Sequence, residues 1–429
     1  MPTWRNWAGS VRVHPERIVT PTSIEHLQEV VRLVPEGQRV RMVGSGHSFT
    51  PIAVTHDTLL RPGTFDEGIG IDGHSGIARI PAGMVLSDVN EHLATAGFAL
   101  TNMGDITAQT MAGSISTSTH GTGLRYTGLA GQVAGFGLVT ADGTHITCSA
   151  TENADIFRLG RVALGAFGIL TYVDMKVVPT FRLRAVEEPR RLDDVLGHFD
   201  TTVTSVDHFE FYWIPHTRWA LTKTNQRTQD PPEPRSRASV WWNKTIMENY
   251  AFGAVCATGR AFPSLIPRLA TALPSTGRHE FVEESHRVFA TRRLVKFHEM
   301  EYSIPRERLV EAMTRIVDEV ERSDLRISFP VEVRVAGADD VPLSTSYGRE
   351  SAYIAVHMYK GMVYEPYFRM IERILLPLEG RPHWGKIHFQ SAETLQSRYE
   401  HFDAFRAMRR QLDPSGKFLN QYVERVLGC

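Results

Sequence analysis

Cysteine is scarce: only Cys148, Cys256 and Cys429 occur in 429 residues, far apart and without a C-x-x-C pair. This argues against a disulfide framework and a thiolate zinc site. An excess of charge of one sign is also missing. Lysine plus arginine (47) nearly balances aspartate plus glutamate (48), leaving a net charge of -1. Nothing electrostatic therefore favours nucleic acid or an anionic membrane as partner, and a small neutral substrate fits the balance better. Long hydrophobic runs are absent as well. No stretch is long enough to span a bilayer. The opening Met1-Pro2-Thr3-Trp4-Arg5-Asn6-Trp7 lacks the basic start and apolar core of a secretory signal. A cytoplasmic location is the expectation.

What is present is an ordinary globular composition, 42% apolar and 22% charged, in a chain too long for one ordinary core. Pro21-Thr22-Ser23 opens a helix on which Ile24, Leu27, Val30 and Val31 recur at helical spacing. The alternating Arg39-Val40-Arg41-Met42-Val43 then predicts a strand that runs into Gly44-Ser45-Gly46. A second unit follows: a strand at Ile77-Ile80, a turn at Pro81-Ala82-Gly83, and a helix whose face is Leu86, Val89 and Leu93. Next come a Gly/Ser/Thr-rich loop from Gly113 to Gly123 and strands at 133–139 and 169–178. The texture changes near residue 180, where a domain boundary is expected. Beyond it, Phe209-Glu210-Phe211-Tyr212-Trp213 alternates like a strand, and Asp230-Pro231-Pro232-Glu233-Pro234 predicts a surface loop or linker.

Two stretches suit a bound anion. Gly44-Ser45-Gly46-His47-Ser48-Phe49 starts like a dinucleotide fingerprint, but Phe49 stands where the third glycine is needed, so a Rossmann reading fails. No P-loop signature occurs either. What remains is a strand-to-loop turn able to offer backbone amides to a pyrophosphate, with a histidine at its tip. The second stretch, Ala112 to Gly123, supplies hydroxyls and glycines, although by composition it could equally be a surface loop. Glu332 and Arg334, two apart on a predicted strand, point to one side, where they form either an exposed ion pair or part of a cavity wall. The spacing of His383 and His388 does not match a metal motif, so no metal is expected.

Taken with Asn6-Trp7-Ala8, Asn102-Met103-Gly104, Thr119-His120-Gly121-Thr122-Gly123, Phe329 to Arg334, Arg381 to Lys386 and Leu412 to Asn420, these motifs resemble the aldonolactone oxidoreductases. That family comprises gulonolactone and arabinonolactone oxidases and dehydrogenases, is related to alditol oxidases, and belongs to the vanillyl-alcohol-oxidase-type flavoproteins. The resemblance implies an α+β protein: a two-subdomain FAD-binding domain over 1–180, an α+β substrate cap over 181–390, and a C-terminal segment, 391–429, returning to the FAD domain. It implies FAD bonded covalently to His47, with Val43, Gly44, Ser45, Gly46, Ser48, Asp105, Thr110, Gly113, Ser114, Ser116, Thr117, His120, Gly121 and Ile169 around the cofactor.

By the same resemblance Glu332, Arg334 and Lys386 are the catalytic set, and Gly104, Asp105 and His357 border substrate or oxygen. The implied reaction oxidises a hydroxyl of a sugar lactone, with polyols second, and passes the electrons to oxygen or another acceptor. Arg334 and Lys386 would stabilise developing negative charge, and Glu332 would orient the arginine or bind substrate hydroxyls. Which group takes the proton is left open. A flavin- or sugar-binding protein without turnover, and a metalloenzyme using some of the 18 histidines, are the readings of other classes.

Overall fold

The computed structural model describes residues 2–63, 68–233, 236, 249–271, 277–291 and 293–428. The chain begins with a small parallel unit. Strands Arg17–Val19 and Val40–Met42 flank Thr58–Leu60, and helix Ile24–Arg32 connects the first to the second. That helix starts where expected because the Ser23 side chain accepts a hydrogen bond from the His26 amide. Its apolar stripe buries Leu27 and Val31.

A second, mainly antiparallel sheet follows, with Ile169–Pro179 lying between Val133–Val139 and Ile77–Pro81. Helix Leu86–Thr95 buries Leu86, Val89 and Leu93 against it, as the spacing predicted. One expectation needs correction. The Gly/Ser/Thr-rich stretch is not all loop: Met111–Ser116 is a short helix, capped by the Thr110 hydroxyl on the Gly113 amide. Buried Met111 and Ile115 anchor it in the core, and that tertiary burial overrides the loop-like composition.

From Arg182 the chain builds an eight-stranded antiparallel sheet in which His208–Trp213, Val331–Ala336, Ser351–Tyr359 and Phe297–Pro305 are successive neighbours. Helices Leu309–Arg322 and Glu365–Leu375 bury their apolar stripes in its core, which includes Phe211, Trp213, Val333 and Ile354. The C-terminal helices Phe402–Leu412 and Gln421–Leu427 do not join this layer. Phe402, Phe405, Tyr422 and Val423 instead enter the core beneath the second sheet. Residues 229–232 form no regular element, and Glu233 makes one bridge to Val282, while Pro234 of the expected linker lies outside the described residues. Cys148 and Cys256 are buried free thiols, and Cys429 lies outside the described residues. Among the described residues no helix is long and apolar enough to cross a membrane.

Candidate active site

The loop after the Val40–Met42 strand is shaped by its glycines. Gly46 has φ 77° and a Cβ there would press on Trp4, so the left-handed turn that presents His47 needs glycine. A Cβ on Gly44 would run into the Thr110 hydroxyl, so glycine lets this loop meet the start of the Met111–Ser116 helix. The N-terminal segment braces the turn. Trp7 donates its amide to Gly46 O at 2.8 Å and stacks on the His47 ring at 5.5 Å, and Asn6 Nδ2 donates to Ser48 O. From the other side, the Phe49 amide donates to Gly385 O at 2.7 Å, which fixes the His47 loop against the segment carrying Lys386. That segment is anchored by fully buried Trp384, whose Nε1 donates to Leu343 O.

Two cavities meet at His47. The narrower, about 130 Å³, is lined by Val43, Gly44, Ser45, Gly46, His47 and Ser48, and further along by Thr110, Gly113, Ser116, Thr117 and Ile169. Among the described residues the backbone N–H groups of Gly44 through Ser48 donate to no protein acceptor. Five successive free amides around a tight turn form an anion nest, which fits the pyrophosphate of FAD. The wider cavity, about 970 Å³, is lined by His47, Gly104, Asp105, His120, Glu332, Arg334, His357 and Lys386.

Asp105 and His120, expected beside the cofactor, thus face the larger space. Ser114 and Gly121 line neither cavity: the Ser114 hydroxyl is spent on Met111 O, and Gly121 packs against Asn102 and Met103. Gly104 has little free room behind it, since a Cβ there would lie 3.0 Å from His120 O.

Two charged clusters line the wide cavity, and the sheet register puts Glu332 and Glu301 in one row on the same face, one on either side of Ala355. In the first cluster Arg334 Nε donates to Glu210 Oε2 at 2.9 Å. Its Nη2 approaches Glu332 Oε1 and, at 3.1 Å, Asp105 Oδ1 as ion pairs, without the alignment of a hydrogen bond among the described residues. Asp105 Oδ2 is held by Arg293 at 2.9 Å and by the Thr291 hydroxyl at 3.0 Å. Burial pushes the Asp105 carboxyl up, but Arg334 and Arg293 outweigh it and hold the acid well below the usual carboxylate range. Glu332 goes the other way: burial raises it, Asp105 and Glu210 add to the rise, and Arg334 only partly opposes them.

In the second cluster Lys386 Nζ pairs with Glu299 Oε2, and His357 Nε2 lies 3.6 Å from Glu299 Oε1. Glu301 pairs with His120 at 3.2 Å. Burial opposes the Lys386 charge, but Glu299 and Glu301 more than compensate and raise the ammonium above its ordinary value. Burial likewise opposes ionisation of Glu299, yet Lys386 and His357 draw it down to about 2. The sequence reading missed Glu210, Tyr212, Arg293, Glu299 and Glu301. A signal existed for four of them: Glu-x-Tyr and Glu-x-Glu at strand spacing, with a large apolar residue, Phe211 or Met300, between the two polar ones.

Buried neutral histidines give the protein an acid limit. Burial lowers His208 and His383 to about 4 and His388 to about 3, against an ordinary value of 6.5. The unfolded chain therefore binds more protons than the folded one below pH 6.5, so stability present above that value is lost as pH falls towards 4. A thermal midpoint that declines over this window is the expected result of melting in a pH series. A flat profile contradicts these burial assignments.

Similarity to known proteins agrees with this geometry. Residues 173–426 match the D-arabinono-1,4-lactone oxidase family model, and residues 15–149 match an FAD binding domain. The chain is 41% identical to the L-gulono-1,4-lactone dehydrogenase of Mycobacterium tuberculosis, over 100% of this chain and 99% of that one. It is 33% identical to the L-gulonolactone oxidase of Bos taurus (99% and 98% covered) and 28% identical to an alditol oxidase of a Streptomyces species (98% of each). Cholesterol oxidase from Brevibacterium sterolicum shares the fold at a TM-score of 0.81 and 16% identity, over 99% of this chain and 96% of that one. The free-amide turn and the charged cavity beside it thus belong to an FAD-dependent oxidoreductase, and the chain is a member of the D-arabinono-1,4-lactone oxidase family.

Proposed function

We propose that the protein oxidises a hydroxyl-bearing carbon of an aldono-1,4-lactone, with FAD bonded covalently to His47. The observation that carries this reading is the position of the His47 ring. It lines both the narrow cavity with the free amides and the wide one walled by Glu332, Arg334 and Lys386. Burial, and then Lys386, lower the imidazole to about 4, so at neutral pH it keeps a lone pair with which to form a bond. When bound, FAD supplies an acceptor for the hydride that leaves the substrate carbon.

The chain's own groups do the rest. The Arg334 guanidinium and the Lys386 ammonium, both mostly buried side chains, place fixed positive charge where the substrate oxygen gains negative character. Carboxylates of both clusters accept hydrogen bonds from sugar hydroxyls and orient the ring. Asp105 is ion-paired with Arg334, and its Oδ2 already accepts from Arg293 and Thr291, which favours a lactone over an open-chain polyol needing that carboxylate. We further place the cap at 181–390, between an FAD domain over 1–180 and its returning tail.

Anaerobic addition of gulono-, galactono- and arabinono-1,4-lactone and of xylitol tests the reading. Bleaching of the flavin by a lactone, faster than by xylitol, is expected. A flavin that only xylitol bleaches transfers the assignment to alditols, and one that none bleaches refutes oxidation. On aeration we expect slow recovery of colour, because glycine at position 104 leaves an approach for oxygen that packing against His120 keeps narrow. A flavin that stays bleached until an acceptor dye is added contradicts an oxidase.

A further inference from the structure

Among the described residues neither ring nitrogen of His47 has a hydrogen-bond partner, and neither is sealed off from the two cavities that the ring lines. A reactive histidine is commonly aimed by a hydrogen bond on its other nitrogen. That device is missing here, and the last torsion of a histidine side chain is broad, so its own rotamers do not set the ring plane.

The aromatic ring stacked on His47 is Trp7, at 5.5 Å and an interplanar angle of 22°. Trp7 is itself held firmly. It follows Asn6 at the turn of a hairpin in which Trp4–Arg5 pairs with Arg12–Val13, closed by Asn6 N to Val11 O at 3.1 Å and by Val11 N to Asn6 Oδ1 at 3.0 Å. Its amide is bonded to Gly46 O, and its ring meets Phe49 at 84° and Phe297, on the strand Phe297–Pro305, at 69°. Edge-to-face contact is a preferred arrangement of aromatic pairs, so the His47 loop and the large sheet together fix the Trp7 plane. That plane then fixes the imidazole, leaving its nitrogen-bearing edge open to the cavities.

We propose that Trp7 is a positioning residue for cofactor attachment, its flat face holding the His47 ring so that a ring nitrogen meets the flavin. This rests on the attachment reading above. In the reaction it serves, an imidazole nitrogen bonds to a methyl carbon of the flavin ring. The electron pair of the broken C–H bond passes to the flavin, followed by the proton of that bond and the imidazole N–H proton. Dioxygen then takes both electrons and both protons as hydrogen peroxide. Trp7 exchanges nothing in these steps. It keeps the nitrogen aimed at the carbon, and a misplacement of about 1 Å can cost about 10²-fold in rate.

Phenylalanine and leucine at position 7 separate stacking from packing, because both fill apolar space but only phenylalanine presents a flat face. The full-length wild type, Trp7→Phe and Trp7→Leu are produced without flavin, mixed with FAD in air and sampled over time. Flavin fluorescence on denaturing gels gives the attachment rate, and quenching of FAD fluorescence on mixing gives the affinity before attachment. Attachment should be at least ~10-fold slower in Trp7→Leu, and close to the wild-type rate in Trp7→Phe. Affinity for unattached FAD should be the same in all three, and each bond formed should release an equivalent of hydrogen peroxide.

Leucine attaching flavin as fast as phenylalanine overturns the proposal. So does slow attachment matched by an equal loss of FAD affinity, since Trp7 would then be a packing residue only. A wild type that binds FAD but never acquires fluorescence on its band refutes the attachment reading and this proposal with it. A covalent wild type with two equally fast variants refutes the role of Trp7 alone.

Discussion

Arg334→Met should slow substrate-dependent flavin reduction by about 10²- to 10³-fold, the usual cost of removing one preorganised donor from a developing oxyanion. Arg334 fits that role because its Nη2 group makes no aligned hydrogen bond among the described residues, although its Nε is committed to Glu210. Ion pairs with Glu332 and Asp105 hold this group in place, and its unaligned N–H bonds can turn to the substrate oxygen. The same replacement leaves Glu210 and part of the Asp105 charge buried without their counterion, so stability should fall by roughly 3 kcal/mol or more. Arg334→Lys should recover stability better than rate, because a single ammonium cannot span Glu210 and the substrate oxygen at once. Stopped-flow reduction and thermal melting of the three proteins separate these effects. A Met variant that reduces its flavin at the wild-type rate contradicts the assigned role.

A stability effect of at least the same size is expected away from the chemistry, at Arg41. Its guanidinium is 3% exposed and lies against the narrow cavity, where it donates to four backbone carbonyls: Ile52, Leu164, Gly165 and Phe418. Burial lowers the group only to about 10, so it stays charged at neutral pH. These bonds join the loop after His47, the turn before the Ile169–Pro179 strand and the C-terminal tail. Arg41→Met keeps the length of the side chain and strands all four acceptors. With bonds to a charged donor worth about 1.5–3 kcal/mol each and not additive, a loss of at least ~3 kcal/mol is expected. The measurement is thermal midpoint together with retained flavin, and both should drop. A variant that melts and holds flavin like the wild type would show that the carbonyls find other partners.

The parts of this protein that could be read from its sequence are those whose cause is local. The helix at Ile24–Arg32 has its cap and its apolar stripe within ten residues, and the His47 turn is dictated by its own two glycines. The Met111–Ser116 helix was hidden because its composition suits a loop and only burial of Met111 and Ile115 decides otherwise. The charged walls were hidden for a different reason. Asp105, Glu210, Arg293 and Arg334 come from four separated stretches, and only sheet register and one loop contact, Thr291 N to Asp105 O at 2.9 Å, bring them together. Glu332 and Arg334 could be found because strand spacing alone puts them on one side. Asp105 could be named, but its ion pairs could not.

In the proposed holoenzyme the flavin lies where the two cavities meet and is bonded to His47. Denaturing electrophoresis after acid treatment, viewed under ultraviolet light, tests it directly. Yellow-green fluorescence moving with the wild-type band and missing from a folded His47→Ala protein is the expected result. Fluorescence running only at the dye front for the wild type, or persisting on the band of the alanine variant, contradicts the attachment.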